Sequence, residues 1–200
     1  VRLVLASTSP RRLDLLARIG VVPDSIAAPD IDENPLPGEL PRAYVQRIAL
    51  SKAMAVERAS DQLVLAGDTT IAVGRRILGK PADEADLRRM LALLSGRRHH
   101  CLSAVVLIGL DGKPRQRLSD TIVAFKRLTV AEIDRYVASG EGMGKAGGYA
   151  IQGLAEMYIR FISGSHSGVV GLPVYETRAL LEAAGHPAFR SGVPGERSLG

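Results

Sequence analysis

Two residues bracket the most chemically suggestive stretch of the sequence, QLVLAGDTTIAVGRRILGKP at positions 62–81. LVLAG is an unbroken apolar run that suits a buried strand, and it delivers Asp68 at its expected carboxyl end. Ligands of open α/β sheets gather at such ends. Gly74-Arg75-Arg76 reads as a hairpin turn, and Lys80 follows between Gly79 and Pro81. A carboxylate and an ammonium on one hairpin could serve a metal ion and a phosphate. A plain strand-end Asp and a solvated Lys fit this stretch equally well.

Other segments supply similar groups. Ser7-Thr8-Ser9-Pro10-Arg11-Arg12 opens a helix, with Ser9 expected at the N-cap and Pro10 in the first turn, where its missing N–H is harmless. Arg11 and Arg12 oppose the helix dipole there, which makes sense if an anion sits on the free N–H groups. Asp30, Asp32 and Glu33 form an acidic turn whose oxygens suit Mg²⁺ or Mn²⁺, although such loops are commonly just solvated. Lys52 falls on the same helical stripe as Val45, Ile48, Ala49 and Val56, so its ammonium must reach water or meet an anion. GEGMGKAGGYAIQG at 140–153 contains G-x-G-x-x-G, but it follows a helix and so fails the context of a dinucleotide fingerprint. It reads as a flexible segment carrying Lys145 and presenting Gln152.

Stepping outward, the elements that must position these groups alternate as in an α/β protein. Strands are expected at 2–6, from 62, at 101–110, at 116–126 and at 155–162, with an Asp111-Gly112 hairpin turn. Helices are expected from Ser9 to Gly20, from Pro41 to Ala59, and from an Asp83 cap to Gly96. Two more follow, from a Thr129–Glu132 capping box to Ser139 and from Gly171-Leu-Pro173 to Ala184. Residues 1–185 read as one domain, and 186–200, rich in Gly, Pro and Ser, as a disordered tail.

Composition narrows the function classes. With 46% hydrophobic and 24% charged residues the chain reads as a globular protein, and no apolar run reaches the roughly 18 residues of a membrane span. The first ten residues lack a basic region long enough for a secretory leader, so a cytoplasmic location is expected. Cys101 stands alone, which excludes an internal disulfide, and its apolar surroundings predict an inert thiol. His99 and His100 have no ligand spacing and read as structural. The net charge is +5, from 26 basic and 21 acidic residues. The arginine pairs are scattered without interleaved aromatics, which speaks for a small polyanion and against nucleic acid.

Taken together, S-x-S-P-R-R, D-E, G-D-T, G-K-P, Y-A-I-Q-G and V-V-G-L-P resemble, in order over residues 3 to 185, the Maf family of nucleoside triphosphate pyrophosphatases. The resemblance implies an α/β fold similar to the inosine triphosphate pyrophosphatases, with a long curved mixed sheet and two lobes around a central cleft. It implies a homodimer, a divalent metal such as Mg²⁺ or Mn²⁺, and hydrolysis of a triphosphate to the nucleoside monophosphate and pyrophosphate. Carried onto this sequence, Asp68 becomes the general base or metal carboxylate and Glu33 a metal-side acid. Lys52 and Lys80 become phosphate clamps, Ser7, Ser9, Arg11 and Arg12 the anion loop, and Lys145 a further cleft cation. Arg11, Thr69 and Gln152 match the dTTP/UTP branch, whereas the 7-methyl-GTP branch has Trp, Gln and an acidic residue there. Gly67 and Gly168 depart from the common Ala or Ser and Asn. A non-catalytic nucleotide-binding regulator of cell division and a phosphatase releasing single phosphates are the alternatives.

Overall fold

A computed structural model describes residues 1–189. Seven strands form one mixed sheet in the order β2-β1-β3-β5-β6-β7, with β4 paired to β3. The strands are β1 (Arg2–Leu5), β2 (Ser25–Ile26), β3 (Gln62–Val73), β4 (Arg76–Leu78), β5 (Arg98–Ile108), β6 (Pro114–Phe125) and β7 (Ile159–Ser163). The helices are α1 (Pro10–Arg18), α2 (Pro41–Met54), α3 (Glu84–Leu94), α4 (Val130–Ala138), α5 (His166–Val170) and α6 (Val174–Ala183). β1 runs parallel to β2 and β3, and the remaining pairings are antiparallel.

The period-2 alternation of β3 and β5 sorts their side chains between two cores. Val64 and Ala66 join Leu102, Ala104 and Val106 under α2, packed on Val45, Ala49 and Ala53. Leu63 and Leu65 join Cys101, Val105 and Leu107 on the opposite face, covered by α1, α3, α4, α5 and α6. The expected caps of α3 and α4 form. Asp83 accepts from the Asp86 N–H at 2.7 Å, and Thr129 with Glu132 makes a reciprocal capping box.

Several expectations shift. Asp68 is not at the end of its strand, because β3 continues through the two threonines to Val73. α2 stops at Met54 rather than Ala59. The strand expected at 155–162 is a 3₁₀ turn at Leu154–Tyr158 followed by β7, since pairing with β6 starts only at Ile159. α5 was not anticipated, its five residues being too few to show a period. In the expected tail, His186 is buried and Pro187–Phe189 forms a 3₁₀ turn, while 190–200 lie outside the described residues.

The functional opening follows from this topology. One edge of β3 pairs with β5 over residues 64–72. The other edge pairs with β1 over 62–65 and with β4 over 71–73. Between them, residues 66–70 face neither strand, and the gap opens at Asp68.

Candidate active site

Asp68 continues the α2-facing row of β3, so the α2 stripe that reads Val45 and Ala49 presents Lys52 to it. The Lys52 Nζ lies 2.8 Å from Asp68 Oδ1 and 3.0 Å from Glu33 Oε1. Lys52 is 8% and Asp68 7% exposed, so this ion pair is shielded from water, while Glu33 approaches from the solvent side. Burial pushes the Asp68 carboxyl above its usual value of 3.8, although Lys52 and Arg12 pull the other way and Glu33 adds to the rise. A carboxylate that balances burial against two cations is suited to proton transfer.

Glu33 is delivered by the loop of residues 27–40, held by α2 residues that the sequence did not single out. The Tyr44 hydroxyl donates to the Glu33 carbonyl at 2.9 Å. Arg47 donates to the Asn34 carbonyl at 3.1 Å and to both Glu39 carboxylate oxygens at 2.7 Å. That fork holds Glu39 down to about 2. Burial, then the charges of Asp68 and Glu33, push the Tyr44 hydroxyl up to about 12. Tyr44 and Arg47 lie one turn apart, with the guanidinium 5.6 Å from the ring centroid, but nothing local in the sequence shows what they grip.

The anion loop differs from expectation in two places. Ser9 has extended backbone at the α1 N-cap, yet its hydroxyl makes no capping bond and faces the cleft wall. Arg12 donates through Nη1 to Ser7 Oγ at 2.9 Å and through Nε to the Gly171 carbonyl at 2.8 Å, which ties this loop to the turn after α5. Burial disfavours the Arg12 charge, and Asp68 and Glu33 offset this. Arg11 lines the cleft, and no hydrogen bond or ion pair holds its guanidinium among the described residues.

On the far wall, the Gly147 N–H donates to the Gly79 carbonyl at 2.9 Å. This ties the hairpin bearing Lys80 to the segment bearing Lys145. Gly147 is required there, because at φ 69° a Cβ would lie 2.7 Å from the Ile71 side chain. Lys80 and Lys145 form no side-chain hydrogen bond or ion pair among the described residues, so with Arg11 the cleft has three cations without a side-chain partner, and Arg12 is a fourth without a carboxylate. The Thr69 hydroxyl lies 2.9 Å from that of Ser103, and Gln152 is exposed on the wall. The cleft has a volume of about 1140 Å³ and takes in Ser7, Ser9, Arg11, Arg12, Glu33, Lys52, Asp68, Thr69, Lys80, Lys145 and Gln152. All eleven residues that the family resemblance assigns to the site therefore line one opening.

The acidic turn does not act as a unit. Asp32 accepts from the backbone and side-chain N–H groups of Asn34, and no cluster of three or more Asp, Glu, His or Cys suited to a metal occurs among the described residues. Asp68 Oδ2 and Glu33 Oε2 make no hydrogen bond among the described residues. Two hard carboxylates fit Mg²⁺ or Mn²⁺ when phosphate oxygens complete the shell.

A family model described as Maf-like protein matches residues 2–184. The chain belongs to the Maf family. It is 73% identical over 185 residues to a dTTP/UTP pyrophosphatase of Sphingopyxis alaskensis, covering 92% of this chain and 97% of that one. It is 60% identical over 184 residues to a dTTP/UTP pyrophosphatase of Novosphingobium aromaticivorans, covering 92% of each. Its fold is similar to that of the Staphylococcus aureus Ham1 protein, with a TM-score of 0.52 at 16% identity, covering 92% of this chain and 99% of that one. Cys101 and His99 are buried away from the cleft lining. Burial pushes the Cys101 thiol up to about 12 and the His99 ring down to about 4.

Proposed function

We propose that the chain hydrolyses dTTP and UTP to the nucleoside monophosphate and pyrophosphate. The observation that carries this reading is the buried Lys52–Asp68 pair, joined by Glu33, in a cleft whose remaining cations have no carboxylate partners. Water adds to phosphorus, the bridging P–O bond between the α- and β-phosphates breaks, and Asp68 accepts the proton. Arg11, Lys80 and Lys145 meet the phosphate charge, helped by the Ser7 and Ser9 hydroxyls and the α1 N-terminus. Arg12 positions Ser7. Asp68 and Glu33 would hold a divalent ion, which supplies charge neutralisation at the phosphate oxygens. The homodimer implied by the family resemblance and the cytoplasmic location expected from the sequence belong to the same reading.

A nucleotide panel with separate assays for pyrophosphate and orthophosphate tests the reaction. Pyrophosphate with the monophosphate is expected. Stepwise orthophosphate would indicate a phosphatase, and binding without turnover a regulator.

The raised Asp68 carboxyl sets the acid side of the pH profile. The base works only when ionised, so kcat/KM for dTTP should fall as pH drops through the Asp68 value. Asp68→Asn should abolish that limb. A limb that persists in the variant would assign the titration to another group.

Base choice is read from Gln152. Its amide offers one donor and one acceptor to the O4 and N3–H of uracil or thymine. Cytosine reverses that pattern, and unpaired polar groups in such a site are costly. Gln152→Glu replaces the donor with a charged acceptor, so the dTTP to CTP ratio of kcat/KM should fall by roughly 10–10²-fold. The wild-type protein turning over 7-methyl-GTP faster than dTTP and UTP would overturn the branch assignment.

A further inference from the structure

We propose that Glu141, which does not line the cleft, is the positioning residue for base selection; this rests on the reading that the 149–152 segment meets the base. The glycine-rich composition of 140–153 predicts a flexible segment, yet one carboxylate gathers its far end. Glu141 Oε2 accepts from the Leu154 N–H at 2.7 Å, and Oε1 accepts from the Ala155 N–H at 3.3 Å and from the Tyr136 hydroxyl at 2.9 Å. The same Tyr136 oxygen accepts from the Ala150 N–H at 3.4 Å. The backbone is therefore pinned two residues before Gln152 and two and three residues after it, all through one Glu–Tyr pair.

The anchor itself is rigid. Tyr136 is 2% exposed on α4, edge-on to Tyr158 with ring centroids 6.3 Å apart. Ser139 links the two, accepting from the Glu141 N–H at 3.3 Å and donating to the Tyr136 carbonyl at 2.6 Å.

Gly153 provides the independent sign that this carboxylate is built in. Its φ of −122° lies outside the left-handed region that favours glycine. A Cβ there would fall 2.1 Å from Glu141 Oε2. The glycine next to Gln152 makes room for the carboxylate, which caps the free N–H groups opening the Leu154–Tyr158 turn. On the near side, Tyr149 is fixed separately, its hydroxyl 2.8 Å from His99 Nε2. Gln152 is the exposed side chain between these anchors, and its direction is set by them.

The test compares Glu141→Gln, Tyr136→Phe and Gly153→Ala with the parent. Tyr136→Phe keeps the ring packing and decides the matter should Glu141→Gln not fold. Amide hydrogen exchange at residues 150, 154 and 155 should speed up. KM for dTTP should rise, and the dTTP to CTP ratio of kcat/KM should fall by about 10–10²-fold, as for a recognition group displaced by about 1 Å. The acid limb set by Asp68 should stay in place, which a general loss of structure would not allow. In a Gln152→Ala background, Glu141→Gln should lower the ratio no further.

The outcomes separate the two readings. If Gln152→Ala lowers the ratio and the folded Glu141 and Tyr136 variants do not, the positioning role is overturned and the base reading survives. If the Glu141 variant lowers the ratio and Gln152→Ala does not, the positioning role holds and another residue of 149–152 reads the base.

Discussion

Asp68→Asn is expected to cut dTTP turnover by roughly 10²–10⁴-fold, the range for losing a general base, while nucleotide binding persists through Arg11, Lys80 and Lys145. The structure adds a stability expectation of the opposite sign. Burial raises the Asp68 carboxyl above its value in the unfolded chain, so the native state binds more protons than the unfolded state between those two values. Stability contributed by this group is therefore lost as pH rises from 3.8 through the raised value, and the deficit remains above it. Asparagine is neutral at every pH and removes the deficit, while Glu33 still faces Lys52. At pH 8 the variant should melt at or above the parent temperature. Thermal melts at pH 8, beside single-turnover rates, measure both. Near-parent turnover would take Asp68 out of the mechanism, and a clearly lower melting temperature would show that the ionised Asp68 stabilises the fold.

What the sequence disclosed depended on how local the signal was. Lys52 could be placed facing inward because a helix stripe has a period, and the cation on it was visibly out of place. Arg11 and Arg12 stood out against the helix dipole in the same way. A hydroxyl before Pro10 normally caps the helix, whereas the Ser9 hydroxyl is left to the cleft. Gly67-Asp68 reads as a strand end, but β3 runs on to Val73. Only the pairing of β3 with β1 on one side of Asp68 and β4 on the other shows that the opening lies in the middle of a strand. The supports of the site were illegible for a related reason. Tyr44, Arg47 and Glu141 each hold a backbone carbonyl or N–H group elsewhere in the chain, and a backbone partner leaves no mark on residue type.

Lys52→Met should cost about 10²–10³-fold in turnover, the scale of losing one preorganised charge at a reacting phosphate. Two of the three ammonium donors are taken by Asp68 and Glu33, which leaves the third for a phosphate oxygen. Methionine fills much of the same volume, so the packing of the α2 stripe should survive. The electrostatic consequence is larger than the steric one. Lys52 is the strongest influence holding the buried Asp68 carboxyl down, and without it burial and Glu33 are opposed by Arg12 alone. The Asp68 value must rise further, so the acid limb of the residual kcat/KM should move to higher pH. Stability should follow, with the deficit relative to the parent smallest in acid, where Asp68 is protonated, and growing as pH rises through the new value. A pH–rate profile and melts across the same range read these shifts together. Reduced turnover with an unmoved limb would confine Lys52 to the phosphates. Unreduced turnover would remove it from the site's chemistry altogether.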